Sequence, residues 1–84
     1  MEERFLTLHP EGKQGVNINK KKYETIRQAI LSIVAEQDQI LFKDLPAAVD
    51  RQLQGNFDGS ISWYVTTVKL DLEARGLIVR VAQS

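Results

Sequence analysis

Ser60-Ile-Ser-Trp-Tyr-Val-Thr-Thr-Val-Lys-Leu-Asp-Leu-Glu-Ala-Arg-Gly76-Leu-Ile-Val-Arg-Val81 is the stretch that decides the fold. Ser60 is an N-cap residue: a short side-chain oxygen can take up an N–H group that the first helical turn leaves unpaired. Ile61, Val65, Val68 and Leu72 then recur at the three- and four-residue spacing of a single apolar stripe. Gly76 supplies the left-handed residue that commonly stops a helix. Leu77 to Val81 is apolar and β-branched, which predicts a strand. The segment therefore reads as a capped helix to about Arg75, a glycine stop and an immediate strand.

Upstream, Phe5-Leu-Thr-Leu8 alternates as a short strand does, and His9-Pro10-Glu11-Gly12-Lys13-Gln14-Gly15 has loop chemistry. Val16 to Ile18 is a second short strand, so residues 5–18 form either a loose hairpin or an extended arm. Asn19 is the expected cap of a helix reaching about Glu36, with Tyr23, Ile26, Ile30, Ile33 and Val34 on its apolar side. Gln37-Asp38-Gln39 ends it. Ile40-Leu-Phe42 is a three-residue apolar run expected to be a strand of the sheet. Lys43 or Asp44 opens a further helix, with Pro46 in the first turn, where its missing N–H costs nothing. Leu45, Val49 and Leu53 form the buried side of that helix. Gly55-Asn-Phe-Asp-Gly59 is a turn, with Phe57 expected to tuck inward.

With 84 residues the chain has room for one small core, since a domain of this size buries only about 60–65% of its unfolded surface. No apolar run approaches the roughly 20 residues that span a bilayer, and Met-Glu-Glu-Arg is unlike the basic and then apolar opening of a signal peptide. Without cysteine there is no disulfide framework, thiol nucleophile or thiolate metal site. These features lead to the expectation of a cytoplasmic protein. Net charge is zero and the pI about 6.6, whereas duplex-binding domains are usually basic. By thirds, residues 1–30 carry +2, residues 31–60 carry −3 and residues 61–84 carry +1.

The element order is arm, helix, short strand, helix, turn, helix, strand. Val65-Thr-Thr-Val-Lys-Leu-Asp-Leu-Glu-Ala-Arg-Gly-Leu-Ile resembles the third-helix signature of winged helix-turn-helix proteins, and this likeness covers about residues 20–81. The whole chain, including Leu8-His-Pro-Glu-Gly-Lys-Gln-Gly-Val-Asn-Ile and Lys22-Tyr-Glu, is similar to a family of short bacterial proteins of unknown function. The expected fold is α+β: a winged-helix-like three-helix domain with a small antiparallel sheet, a truncated wing and an N-terminal β arm. It is expected to be one domain over 1–84, with 1–18 as arm or hairpin and 19–84 as core. The wing is expected to be truncated because eight residues from Leu77 onward do not supply two strands and a turn. The winged-helix resemblance implies DNA binding, although many members of that superfamily bind proteins instead.

At about 100° per residue, Trp63, Thr67, Leu70 and Ala74 lie opposite the core stripe of the third helix. Thr66, Lys69 and Glu73 occupy one flank, and Asp71 and Arg75 the other. Base readout uses Arg, Lys, Asn or Gln, and the outer face has none of these. Trp63 and Leu70 are either covered by the arm or exposed as an apolar patch of the kind that marks a protein interface. Two functions follow. One is nucleic-acid binding through Lys20, Lys21, Lys22 and Lys69, with Thr66 and Thr67 secondary. The other is a protein-interaction or self-associating module using Trp63, Thr67 and Leu70.

The remaining motifs carry less. Lys20-Lys21-Lys22 places cations in the first turn of a helix, where the dipole disfavours them; it is a phosphate contact or a solvated helix start. Gly12-Lys13-Gln14-Gly15 matches a nucleotide-clamping GxxG loop in spelling, but a strand follows where that fold needs a helix. His9 and Glu11 do not make a metal-ligand set. Asp71 and Glu73, two apart on a helix, do not share a face. The expectation is a non-enzyme without cofactor or metal.

Overall fold

The computed structural model describes residues 3–9, 11–12, 15–37 and 40–78. An N-terminal hairpin leads into three helices, an α+β arrangement of winged-helix-like type. β1 (Arg4–Leu6) and β2 (Asn17–Asn19) pair antiparallel, with Arg4 opposite Asn19, Phe5 opposite Ile18 and Leu6 opposite Asn17. The pairing continues past β1, where the Thr7 N–H donates to the Val16 carbonyl at 2.9 Å and the Val16 N–H donates to the Thr7 hydroxyl at 2.9 Å. Gly15 permits this closeness, because a Cβ there would sit 1.8 Å from the Thr7 carbonyl oxygen. The glycine that spells half of a GxxG motif is thus used for strand packing.

α1 (Lys20–Gln37) starts without a linker. Asn19 ends β2 and caps the helix, its side-chain oxygen accepting from the Lys22 N–H at 3.0 Å. Tyr23, Ile26, Ala29, Ile30 and Ile33 bury one side of α1. A short 3-10 turn (Phe42–Asp44) precedes α2 (Leu45–Gln52), which buries Leu45, Ala48 and Val49. α3 (Ile61–Ala74) buries Val65, Val68 and Leu72. These side chains and Ile18 of the hairpin form one core, with Leu53, Phe57, Ile61 and Val34 half-buried at its margin.

The signals at the ends of α3 act as their chemistry requires. The Ser60 hydroxyl accepts from the Trp63 N–H at 3.3 Å. At the other end, the Gly76 N–H donates to the Glu73 carbonyl at 3.1 Å and the Leu77 N–H to the Leu72 carbonyl at 2.9 Å, with Gly76 at φ +74°. This is the paired Schellman closure.

Two expected elements differ. Ile40 and Leu41 adopt no regular structure and Phe42 enters the 3-10 turn, in which the Asp44 N–H donates to the Leu41 carbonyl at 2.9 Å. A short apolar run fits a strand or a core margin equally well, and no strand lies beside this one among the described residues; Ile40 packs on the core instead. In the expected strand Leu77–Val81, Leu77 and Ile78 form a bend, while residues 79–81 lie outside the described residues, as do Asp38 and Gln39 at the expected end of α1. The sheet described here is built by the hairpin alone.

α2 ends in the same closure as α3, with the Gln54 N–H donating to Arg51 at 3.1 Å and the Gly55 N–H to Asp50 at 3.2 Å. Here the left-handed position, φ +57°, holds Gln54, a residue with a Cβ. Left-handed backbone costs a non-glycine residue about 1–2 kcal/mol. Gln54→Gly is therefore expected to stabilise the fold by about 1 kcal/mol, seen as a higher urea midpoint at unchanged slope. A lower midpoint would show that the Gln54 side chain contributes more than its backbone conformation costs.

Candidate functional site

Asp71, on the flank of α3, is completely buried. An ionised carboxylate in that position needs its acceptor sites filled from within the chain, and three elements fill them. The Leu8 N–H, just past β1, donates to Oδ1 at 2.8 Å. The Tyr23 hydroxyl of α1 donates to Oδ2 at 2.5 Å. Arg75, one turn along α3, donates its Nε–H to both oxygens at 3.0 and 2.9 Å. Phe5 of β1 closes the ring: it stacks on Tyr23 at 4.1 Å between centroids, and the Arg75 guanidinium lies 5.0 Å from the Phe5 centroid. Hairpin, α1 and α3 are thus clasped at one carboxylate. With all its partners internal, Asp71 has no acceptor position left for a ligand, so the cluster is structural.

Lys69 and Glu73 are also internal. Their side chains are 6% and 12% exposed, they pair with each other across one turn, and the Lys69 ammonium lies 3.8 Å from the Phe42 ring centroid. Lys69, named from sequence as a nucleic-acid contact, is thereby removed from the surface and committed to Glu73. The reason is geometric: the flank it occupies faces Phe42, and a long side chain can bury its stem there while the ammonium meets both a carboxylate and a π face.

With its charges turned inward, α3 presents a largely uncharged outer side. Trp63 is 46% exposed and Thr66 is exposed, whereas Thr67 and Leu70 are half-buried. The described residues of the hairpin are held at the Asp71 end of α3, where Leu8 meets Asp71 and Phe5 stacks on Tyr23, and not at Trp63. Trp63 instead begins an aromatic row. It meets Tyr64 edge-on at 4.9 Å, and Tyr64 meets Phe57 edge-on at 5.1 Å. Lys22 reaches the Tyr64 ring at 5.7 Å. Lys20 is paired with Glu3 at 3.2 Å, and Lys21 is exposed. Lys21, Lys22, Thr25, Leu53, Asn56, Phe57 and Asp58 line an open groove of about 240 Å³ between the start of α1 and the α2–α3 turn. The structure therefore brings Trp63 and Lys22 into one surface through Tyr64, and separates Lys69 from the other lysines. Sequence reasoning missed Asp71 and Tyr23; the i,i+4 spacing of Asp71 and Arg75 was the only local signal for them.

His9 serves its own turn: its Nδ1 accepts from the Glu11 N–H at 3.2 Å and its carbonyl from the Gly12 N–H at 3.0 Å. Among the described residues no group of three or more His, Asp or Glu side chains is placed to hold a metal, and no helix is long and apolar enough to cross a membrane.

A family model matches residues 4–84, so the chain belongs to that family, described as "Family of unknown function (DUF6958)". No curated protein and no solved structure matches the chain.

The clasp makes two measurements decisive. Removing the Asp71 carboxylate strips the buried Tyr23 hydroxyl and the Leu8 N–H of their acceptor, at about 1–3 kcal/mol for a buried polar group left unsatisfied, while the partly exposed Arg75 can turn to water. Asp71→Ala is accordingly expected to lower stability in urea titrations by about 2–4 kcal/mol, out of about 4–13 kcal/mol for a domain this size; a loss below about 1 kcal/mol would contradict the clasp. Burial, and then the hydrogen bond to Asp71, push the Tyr23 phenol up from 10.0 to about 12. Its folded-state value lies above its unfolded value, so this contribution is complete below pH 10 and is lost as pH rises from 10 to 12. At about 1.4 kcal/mol per pH unit the loss is at most about 2–3 kcal/mol. Tyr23→Phe is expected to be less stable at neutral pH and to lack this alkaline decline.

Proposed function

We propose that this family member is a binding module that engages a partner protein through the outer face of α3 and carries out no chemistry of its own. Trp63 carries the reading. Nearly half of the largest apolar side chain stands in water on a helix face without free charge. Aromatic side chains in such positions anchor interfaces, where they contribute large contact area at low conformational cost. Tyr64 and Phe57 extend the surface, and Thr67 and Leu70 border it.

A nucleic-acid reading, of the transcription-associated kind that the winged-helix likeness implies, has one specific support: Lys21 and Lys22 stand beside Phe57 in the groove. Thr66 and Thr67 would be its contacts from α3. It is the weaker reading. Lys69 is spent on Glu73, Lys20 on Glu3, and a chain of zero net charge gains little from releasing counterions.

Selection of random peptides displayed on phage against the intact chain, with the Trp63→Ala variant as counter-target, separates the two. The interaction reading expects enriched peptides whose affinity falls tenfold or more on Trp63→Ala, the effect of an anchoring aromatic worth about 1.4–2 kcal/mol. Urea stability should change little, because the indole is half solvated in the folded state. Peptides indifferent to Trp63→Ala, together with binding of random duplex at low salt that disappears steeply as salt is added, would replace this reading with the nucleic-acid one.

A further inference from the structure

We infer that the groove between the start of α1 and the α2–α3 turn receives an acidic segment of the partner protein, carrying one apolar side chain next to its carboxylates; this rests on the interaction reading of Trp63. Three observations carry it. The first is size. At about 240 Å³ the groove is below the 300–1,000 Å³ of sites that enclose a whole small molecule. It is open along its length and suits one inserted side chain with chain running past it.

The second is the chemistry of its walls. Leu53 and Phe57 are half-buried at the core margin and give the groove an apolar wall. Lys21 and Lys22 stand beside them, and neither has a carboxylate within ion-pair reach among the described residues. Lys69 on α3, Arg75 at its C-terminal end and Lys20 next door are by contrast each paired with a carboxylate. These two ammonium groups, Lys22 also touching the Tyr64 ring, thus stand at a groove with an apolar wall, which fits a partner that brings carboxylates and an apolar anchor together. Asn56 and Asp58, on the turn side, offer acceptors to the N–H groups of a passing backbone.

The third is continuity. Phe57 of the groove contacts Tyr64 at 5.1 Å, Tyr64 contacts Trp63 at 4.9 Å, and Lys22 of the groove reaches the same Tyr64 at 5.7 Å. One bound segment can seat its apolar side chain at Phe57 and continue across Tyr64 onto Trp63.

The test is an NMR titration of the full, isotope-labelled chain with three probes: a short synthetic peptide with Phe and Leu set among Asp and Glu, its charge-reversed counterpart with Lys replacing the acids, and an oligothymidylate. The acidic peptide is expected to shift the amides of Lys21, Lys22, Thr25 and Asn56–Asp58 and the indole N–H of Trp63. Lys21→Ala combined with Lys22→Ala should weaken it roughly fivefold to tenfold, as two exposed ion pairs would, with the circular dichroism spectrum unchanged. Equal binding by the charge-reversed peptide, or shifts from the oligothymidylate alone, overturns the inference. So does a concentration-dependent shift of the same amides in the free chain, which would name a second copy as occupant. If phage-selected peptides depend on Trp63 but are neutral and leave the groove amides unmoved, the groove inference falls while the interaction reading stands. Loss of Trp63 dependence removes both.

Discussion

A carboxylate removed entirely from water has to be matched by donors of its own protein, and at Asp71 those donors come from three separate elements. The Leu8 N–H brings the hairpin, the Tyr23 hydroxyl brings α1, and Arg75 completes the pairing from within α3. Coulomb attraction alone would not secure this arrangement, because burying charge is costly and the return depends on every acceptor being filled. Here the requirement becomes a positional constraint. The docking of the hairpin satisfies Asp71 while stacking Phe5 on Tyr23, and the rotation of α3 turns Val65, Val68 and Leu72 to the core with Asp71 beside them.

The rest of the surface follows from that rotation. Turning the Asp71 flank inward against the hairpin leaves the Lys69 flank against Phe42, so both charged flanks of α3 are consumed by the fold. What remains outside is Trp63 and its neighbours, and the hairpin that might have covered them is held elsewhere. The aromatic row from Trp63 through Tyr64 to Phe57 links this face to the groove beside Lys21 and Lys22. An exposed apolar face on a near-neutral domain, continuous with a groove that carries two lysines, is suited to recognising another protein.

Local chemistry in the sequence foretold the helices well. Ser60 and Asn19 cap where a cap was expected, Gly76 closes α3, and the stripes Tyr23–Ile33 and Val65–Leu72 are buried. The hairpin was legible as one of two alternatives. What escaped was what distance in sequence hides. The partners of Asp71 lie 48 and 63 residues away, and helical periodicity assigns a residue to a face without saying which layer covers that face. Asp71 and Lys69 therefore read as solvated flank charges, when each is internal. The run Ile40–Phe42 read as strand because three apolar residues carry no periodicity; its role as a core margin and as a wall for Lys69 depends on packing. Whether Trp63 was covered or bare depended in turn on where the arm docks, and so on Asp71.

The account joins an internal clasp to an uncovered tryptophan, and the chain has a single tryptophan through which to read it. Acrylamide quenching of its fluorescence in dilute solution is the most direct check. A half-exposed Trp63 should emit toward the red and be quenched efficiently, with both properties independent of dilution. Blue-shifted emission that resists quenching at every concentration would mean that Trp63 is covered from within the chain, and would contradict the account.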